Sequence, residues 1–181
     1  RPTMGAILID GIDVRQVDPI DLRQSVALAP QATELTYGTV AQNLRLAEPT
    51  ASDEDLIEAA KLARVYDGIM QLPEQFETRL NEHVLTELTE GFKQKLSLAR
   101  AYLKKSPIML FDEPGQALDA EGDQAFLAAV QKLRGSSTII IVTHRPSHME
   151  IADRLLVLDA GRLQYNGPPQ EAMDRLSGGG Q

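Results

Sequence analysis

Two short apolar runs, residues 108–111 and 138–142, constrain this chain more than any other feature. The first is strand-length and apolar throughout and the second is β-branched throughout, opened by Thr138, the pattern of a strand covered on both faces in a parallel sheet. Between them, Phe126, Ala129, Val130 and Leu133 recur at helical spacing over residues 120–133, with Gly135 as the stop. A strand, a helix and a second strand in this order predict an α/β fold. Each run also ends in reactive groups. Asp112-Glu113 follow the first and Thr143-His144 the second, and ligands of open α/β sheets bind at the carboxyl ends of the strands.

The rest of the chain extends this pattern. Residues 6–9 and 12–14 flank Asp10-Gly11, a hairpin signal. Pro19 opens a short helix, and residues 25–29 form a strand ending at Pro30-Gln31. Ser52 with Asp55 three residues on marks the start of a helix carrying Leu56, Ile57, Ala60 and Ala63 on one side. A second helix starts near Thr89, where Phe92, Leu96, Ala99 and Leu103 share a stripe. Residues 155–158 and 163–165 bracket Asp159-Ala160-Gly161 as a hairpin. The expected organisation is therefore a core over 1–37 and 107–176, interrupted by a helical subdomain at 38–106 and followed by a flexible tail at 177–181.

Composition narrows the function classes. A net charge of −8 and a pI near 4.9 argue against a nucleic-acid partner, which needs a clustered basic face. No run approaches the roughly 18 apolar residues of a membrane helix. Without cysteine there are neither disulfides nor thiolate metal sites.

Taken singly, the polar residues each admit an ordinary reading. Asp112-Glu113 can hold Mg²⁺ and activate a water, as paired acids do in P-loop phosphoryl transfer, or can be a strand end meeting solvent. His144 can reach a γ-phosphate, or be a plain surface histidine. Gln31 can ligate Mg²⁺ by its carboxamide oxygen. His83 and His148 have no comparable placement and are read as structural.

Their order is what carries weight. Gln31, the helical insertion, Leu88-Thr89-Glu90-Gly91-Phe92, Asp112-Glu113, Ala117-Leu118-Asp119 and Thr143-His144 form one ordered set. This set resembles the nucleotide-binding domain of ABC transporters across essentially the whole chain. Gly11-Ile12-Asp13-Val14, Gly38-Thr39-Val40-Ala41-Gln42-Asn43-Leu44, Leu96-Ser97-Leu98-Ala99-Arg100-Ala101 and residues 155–162 look like the same family. The 38–44 stretch looks most like exporter-type domains, including those of type I secretion systems.

The resemblance implies a P-loop NTPase-like parallel sheet core with an inserted α-helical subdomain. It implies ATP and Mg²⁺ as ligands, with Asp112 and Gln31 at the metal, Glu113 as the catalytic carboxylate and His144 as the switch histidine. Asp119 would close the D-loop against a second nucleotide-binding domain, while Leu88, Thr89, Glu90, Gly91 and Phe92 occupy the signature position. The implied partners are a transmembrane domain and a second nucleotide-binding domain, homodimeric or heterodimeric, at the cytoplasmic face of the inner or plasma membrane.

Two departures stand against this pattern. No G-x-x-x-x-G-K-[ST] loop occurs in the chain, and residues 1–5 resemble the segment just beyond the helix that this loop opens. The expectation is an N-terminally truncated domain with low nucleotide affinity of its own, lacking one central strand. The signature also departs from LSGGQ. Glu90 places a carboxylate beside a polyanion, a repulsion on the order of 1–4 kcal/mol in a partly buried cleft. Phe92 replaces a polar glutamine.

Three functions are compatible with these residues. The leading one is an ATP-hydrolysing domain that powers transport. The second is a weak or non-hydrolytic regulatory subunit of an asymmetric dimer. The third, a soluble ABC-type ATPase of DNA repair or translation, is disfavoured by the acidic charge and by the 57-residue step from Gln31 to Leu88, too short for an inserted coiled coil.

Overall fold

Asp10 and Gly11 both take left-handed backbone (φ 50° and 81°), which turns β1 (Leu8–Ile9) back onto β2 (Ile12–Asp13) as an antiparallel hairpin. The structure is a computed structural model and describes residues 2–178. After the hairpin, Asp18 caps α1 (Pro19–Ser25) by accepting a hydrogen bond from the Ile20 N–H at 2.7 Å, with Pro19 at the first helical position. The chain then enters β3 (Val26–Ala29).

The helical insertion begins with β4 (Gly38–Thr39) and α2 (Val40–Arg45), where Thr39 and Gln42 make a reciprocal capping box. It continues through α3 (Asp53–Leu62), α4 (Tyr66–Met70), β5 (Arg79–Leu80), α5 (Glu82–Glu87) and α6 (Glu90–Leu103). Ser52 and Asp55 cap α3 as their spacing predicts. Leu56, Ala59 and Ala60 of α3 are buried, as are Leu96, Ala99 and Leu103 of α6, and these belong to one contiguous core. The pairing of β4 with β5, Gly38 opposite Leu80, ties the start of the insertion to the segment just before α5.

The sheet has the order β3, β6 (Ile108–Asp112), β7 (Thr138–Val142), all parallel, with α7 (Ala120–Leu133) as the crossover between the last two. Beyond it lie α8 (Pro146–Glu150), the hairpin β8 (Leu155–Asp159) and β9 (Arg162–Gly167), and α9 (Pro169–Gly178). Helix α9 reaches two residues into the stretch read as a tail, and 179–181 lie outside the described residues.

One expectation needs correction. The apolar runs predict strands covered on both faces, yet the sheet is covered on one. Ala27, Ala29, Met109 and Phe111 are buried, and Ile139 and Ile141 pack against the same core. The in-register partners on the opposite face, Leu28 and Ile140, are 54% and 51% exposed, and Val142 is exposed too. The pleat sends alternate residues to opposite faces, and among the described residues nothing covers the second one. On the covered face Phe111 meets Phe126 of α7 edge-on at 5.3 Å and Tyr102 of α6 at 6.1 Å. These contacts seat α6 and α7 on the strand that delivers Asp112.

Candidate active site at the carboxyl edge of the sheet

Strand register decides which polar groups meet. Ala29 lies beside Phe111, and Asp112 beside Val142. Gln31, Asp112-Glu113 and Thr143-His144 therefore emerge along one edge, although 113 positions separate the first from the last. The Glu113 N–H continues the ladder by donating to Val142 O at 2.9 Å. Glu113 then takes φ 47°, left-handed backbone that a non-glycine residue rarely adopts. Such strain persists where the surroundings over-determine it, which is common at functional sites. Here it accompanies a 2.9 Å contact between Glu113 Oε2 and His144 Nδ1. The carboxylate is mostly shielded, whereas the imidazole is 76% exposed. An acid and an imidazole at this distance can share and pass a proton, and the imidazole is open to solvent.

Gln31 donates from Nε2 to Gln116 Oε1 at 3.0 Å. That bond occupies the amide nitrogen and leaves the carboxamide oxygen of Gln31 to serve as a ligand beside the strand bearing Asp112. Among the described residues no group of three or more His, Asp or Glu could cage a metal. A carboxylate and a carboxamide oxygen fit Mg²⁺, which takes one or two protein ligands and fills its octahedron with water and phosphate. Gln116 carries no sequence signal, because it gains meaning only from the fold that sets it opposite Gln31.

The signature position sits at the start of α6. Leu88 ends α5 and Thr89 caps α6, its hydroxyl accepting from the Phe92 N–H at 3.2 Å. Glu90 is the first helical residue and points outward, 2.8 Å from Lys93 Nζ. A Cβ on Gly91 would lie 2.9 Å from the backbone oxygen of Ala117, so glycine lets α6 rest on the segment leading to Asp119. The ring of Phe92 fills the space above Gly68, whose hypothetical Cβ would lie 2.9 Å from Phe92 Cε2. A cleft of about 400 Å³ runs between Thr89, Gly91, Phe92, Lys95 and Asp119.

Asp119 caps α7, accepting from the Gly122 N–H at 2.8 Å. That bond, and Lys95 at 3.6 Å, hold its carboxyl below the usual carboxylate range. The other histidines differ from each other. His83 is exposed, 3.3 Å from Glu87. His148 is buried and bonded on both ring nitrogens, to Thr143 Oγ1 at 3.2 Å and Asp123 Oδ1 at 2.7 Å.

Known proteins resemble this chain in sequence and in fold. The ABC transporter family profile matches residues 1–116. A Bacillus subtilis protein named for multidrug export as an ATP-binding/permease protein, YgaD, is 38% identical over 172 residues, covering 95% of this chain and 30% of its own length. Heavy metal tolerance factor 1 of Caenorhabditis elegans is 40% identical over 171 residues, covering 94% of this chain and 21% of its own. The chain thus spans less than a third of either relative. A bacterial Atm1-family ABC exporter solved with ATP bound superposes with a TM-score of 0.89 at 35% identity, over 97% of this chain and 30% of that one. The profile match and the ordered motifs agree, and this chain belongs to the ABC transporter family.

Proposed function

We propose that the chain is the ATP-hydrolysing part of an ABC exporter, working against a second nucleotide-binding domain and a transmembrane domain at the cytoplasmic face of a membrane. The observation that carries this reading is the 2.9 Å pairing of Glu113 with His144 beside Asp112. Asp112 and Gln31 would hold Mg²⁺, which when bound offsets charge on the β- and γ-phosphates. Glu113 takes a proton from the attacking water, whose oxygen forms the new bond to the γ-phosphorus as the bond to the bridging oxygen breaks. His144 holds the carboxylate and faces the phosphate. The relatives named for export, and the exporter solved with ATP, support the direction of transport.

In a dimer of such domains, residues 88–92 serve the opposite nucleotide. Glu90 then favours a second reading, in which one site of an asymmetric pair is weak and regulatory. Lys93 at 2.8 Å tempers that charge locally.

Hydrolysis of Mg-ATP by the full protein tests both readings. Glu113→Gln should lower turnover by about 10²–10⁴-fold, the range of general base catalysis, with ATP still bound. Wild-type turnover in that variant would rule out a hydrolytic role for this chain's own carboxylate.

A further inference from the structure

Behind the phosphate-facing edge lies a partly buried polar cluster, centred on a buried histidine, that the proposed chemistry does not use. His148 is fully buried, with its side chain between α7 and the loop that carries His144. Its Nε2 is 2.7 Å from Asp123 Oδ1, and its Nδ1 is 3.2 Å from Thr143 Oγ1. Arg145 Nη1 reaches the same Asp123 oxygen at 2.9 Å, and the Arg145 backbone N–H donates to Thr143 Oγ1 at 3.1 Å. Ser147 Oγ donates to Asp123 Oδ2 at 3.4 Å.

These donors and acceptors close into one ring. The Arg145 N–H gives to Thr143 Oγ1, Thr143 Oγ1 pairs with His148 Nδ1, and His148 Nε2 pairs with Asp123, which Arg145 neutralises. Both ring nitrogens of the imidazole therefore have a partner. A network this complete around a buried histidine is rigid, and removing one member leaves the others unpaired.

Its position gives the rigidity a use. Thr143 and Arg145 are the residues on either side of His144, and both are tied to this cluster. His144 itself is exposed and is held from outside that segment by Glu113. The loop after Glu113 rests on the same cluster: a Cβ on Gly115 would lie 2.9 Å from Arg145 Nε, Asp123 Oδ1 and His148 Cε1 alike. Asp123 stands one turn along α7 from Asp119, and its N–H donates to Asp119 O at 2.9 Å.

We propose that Asp123 and His148 are positioning residues that clamp the Thr143–Arg145 segment to α7, so that the pairing of His144 with Glu113 is set by where α7 sits. A displacement of the Asp119 end of α7 is thereby passed to the acid–imidazole pair through fixed hydrogen bonds. The role rests on the hydrolytic reading of Glu113 and His144, and the experiment separates the two.

Single-turnover hydrolysis of Mg-ATP and equilibrium Mg-ATP binding would be measured on the full protein in its natural assembly. Asp123→Asn and His148→Gln should each slow hydrolysis roughly tenfold with Kd changed less than about twofold, the mark of lost transition-state organisation. In a His144→Gln background the same changes should slow it no more than about twofold further, since residues acting as a unit are not additive. Thr143→Val, which cuts one link and leaves the ion pair, should show the same masking and serves if the other variants fail to fold. An equal slowing with and without His144, an unchanged rate in both, or a weakened Kd that accounts for the loss would each overturn the clamp. Glu113→Gln tells which reading failed. If it abolishes hydrolysis while Asp123→Asn does not alter it, the clamp alone is wrong; if it hydrolyses at the wild-type rate, the hydrolytic reading falls and the clamp with it.

Discussion

At the residue scale, the altered signature divides into two effects with different physics. Glu90 is an electrostatic change on an exposed side chain, partnered by Lys93 three residues on. Removing it leaves the fold untouched and takes a negative charge from the helix end that would face a nucleotide. Glu90→Gly should therefore raise ATP turnover in the full protein while the melting midpoint moves little. Phe92 is a packing residue as well, because its ring occupies the room that Gly68 leaves open. Phe92→Gln should lower the midpoint by several degrees, corresponding to about 1–3 kcal/mol for a partly buried ring. Any gain in turnover from Phe92→Gln then comes with lost stability, whereas Glu90→Gly carries no such penalty. Steady-state hydrolysis and thermal melts on both variants check this division; equal effects on both readouts would refute it.

At the scale of elements, Asp55 shows how one side chain serves a helix and its neighbour. It completes the α3 capping box with Ser52, and its Oδ1 takes a 2.8 Å bond from Lys105 in the loop before β6. The Lys105 bond first, and then Ser52, lower its carboxyl to about 2. The folded value lies below the unfolded one, so ionised Asp55 contributes stability above about pH 4 and loses it as pH falls towards 2. Asp55→Asn should be less resistant to urea than wild type at pH 7, with the gap closing between about pH 4 and 2. Caps and stripes of this kind are local, which is why Ser52, Thr89 and the Leu96–Ala99–Leu103 stripe are legible from spacing alone. The two-residue strands β4 and β5 are not, since their pairing joins Gly38 to Leu80 and neither run is long enough to show alternation. Asp123 and His148 are invisible for the same reason. An aspartate in one helix and a histidine in a short second one signal nothing until the fold brings them to 2.7 Å. The edge bearing Gln31, Asp112, Glu113 and His144 is legible because each comes after a recognisable strand. The strained backbone of Glu113 is not, because torsion angles leave no mark in composition.

At the scale of the whole molecule, the described residues present a carboxyl edge of the sheet whose charges are chiefly negative. Asp112 and Glu113 are acids, Gln31 is neutral, and His144 is already engaged by Glu113. The chain as a whole carries −8. A nucleotide triphosphate needs cationic or backbone N–H groups closing on its β- and γ-phosphates, and no G-x-x-x-x-G-K-[ST] loop occurs in these 181 residues. Mg²⁺ held by Asp112 and Gln31 would supply part of that charge, but two protein ligands make a weak metal site when no phosphate bridges it. This 181-residue chain on its own should therefore melt at the same temperature with and without millimolar Mg-ATP. A ligand at a hundredfold excess over its Kd would add about 2.7 kcal/mol to the folded state, a shift of several degrees for a domain of this size. A flat response would locate phosphate affinity in elements other than Gln31, Asp112, Glu113 and His144, leaving those residues to metal and water. An upward shift that disappears in Asp112→Asn would instead show that the carboxyl edge, with Mg²⁺, grips the triphosphate unaided.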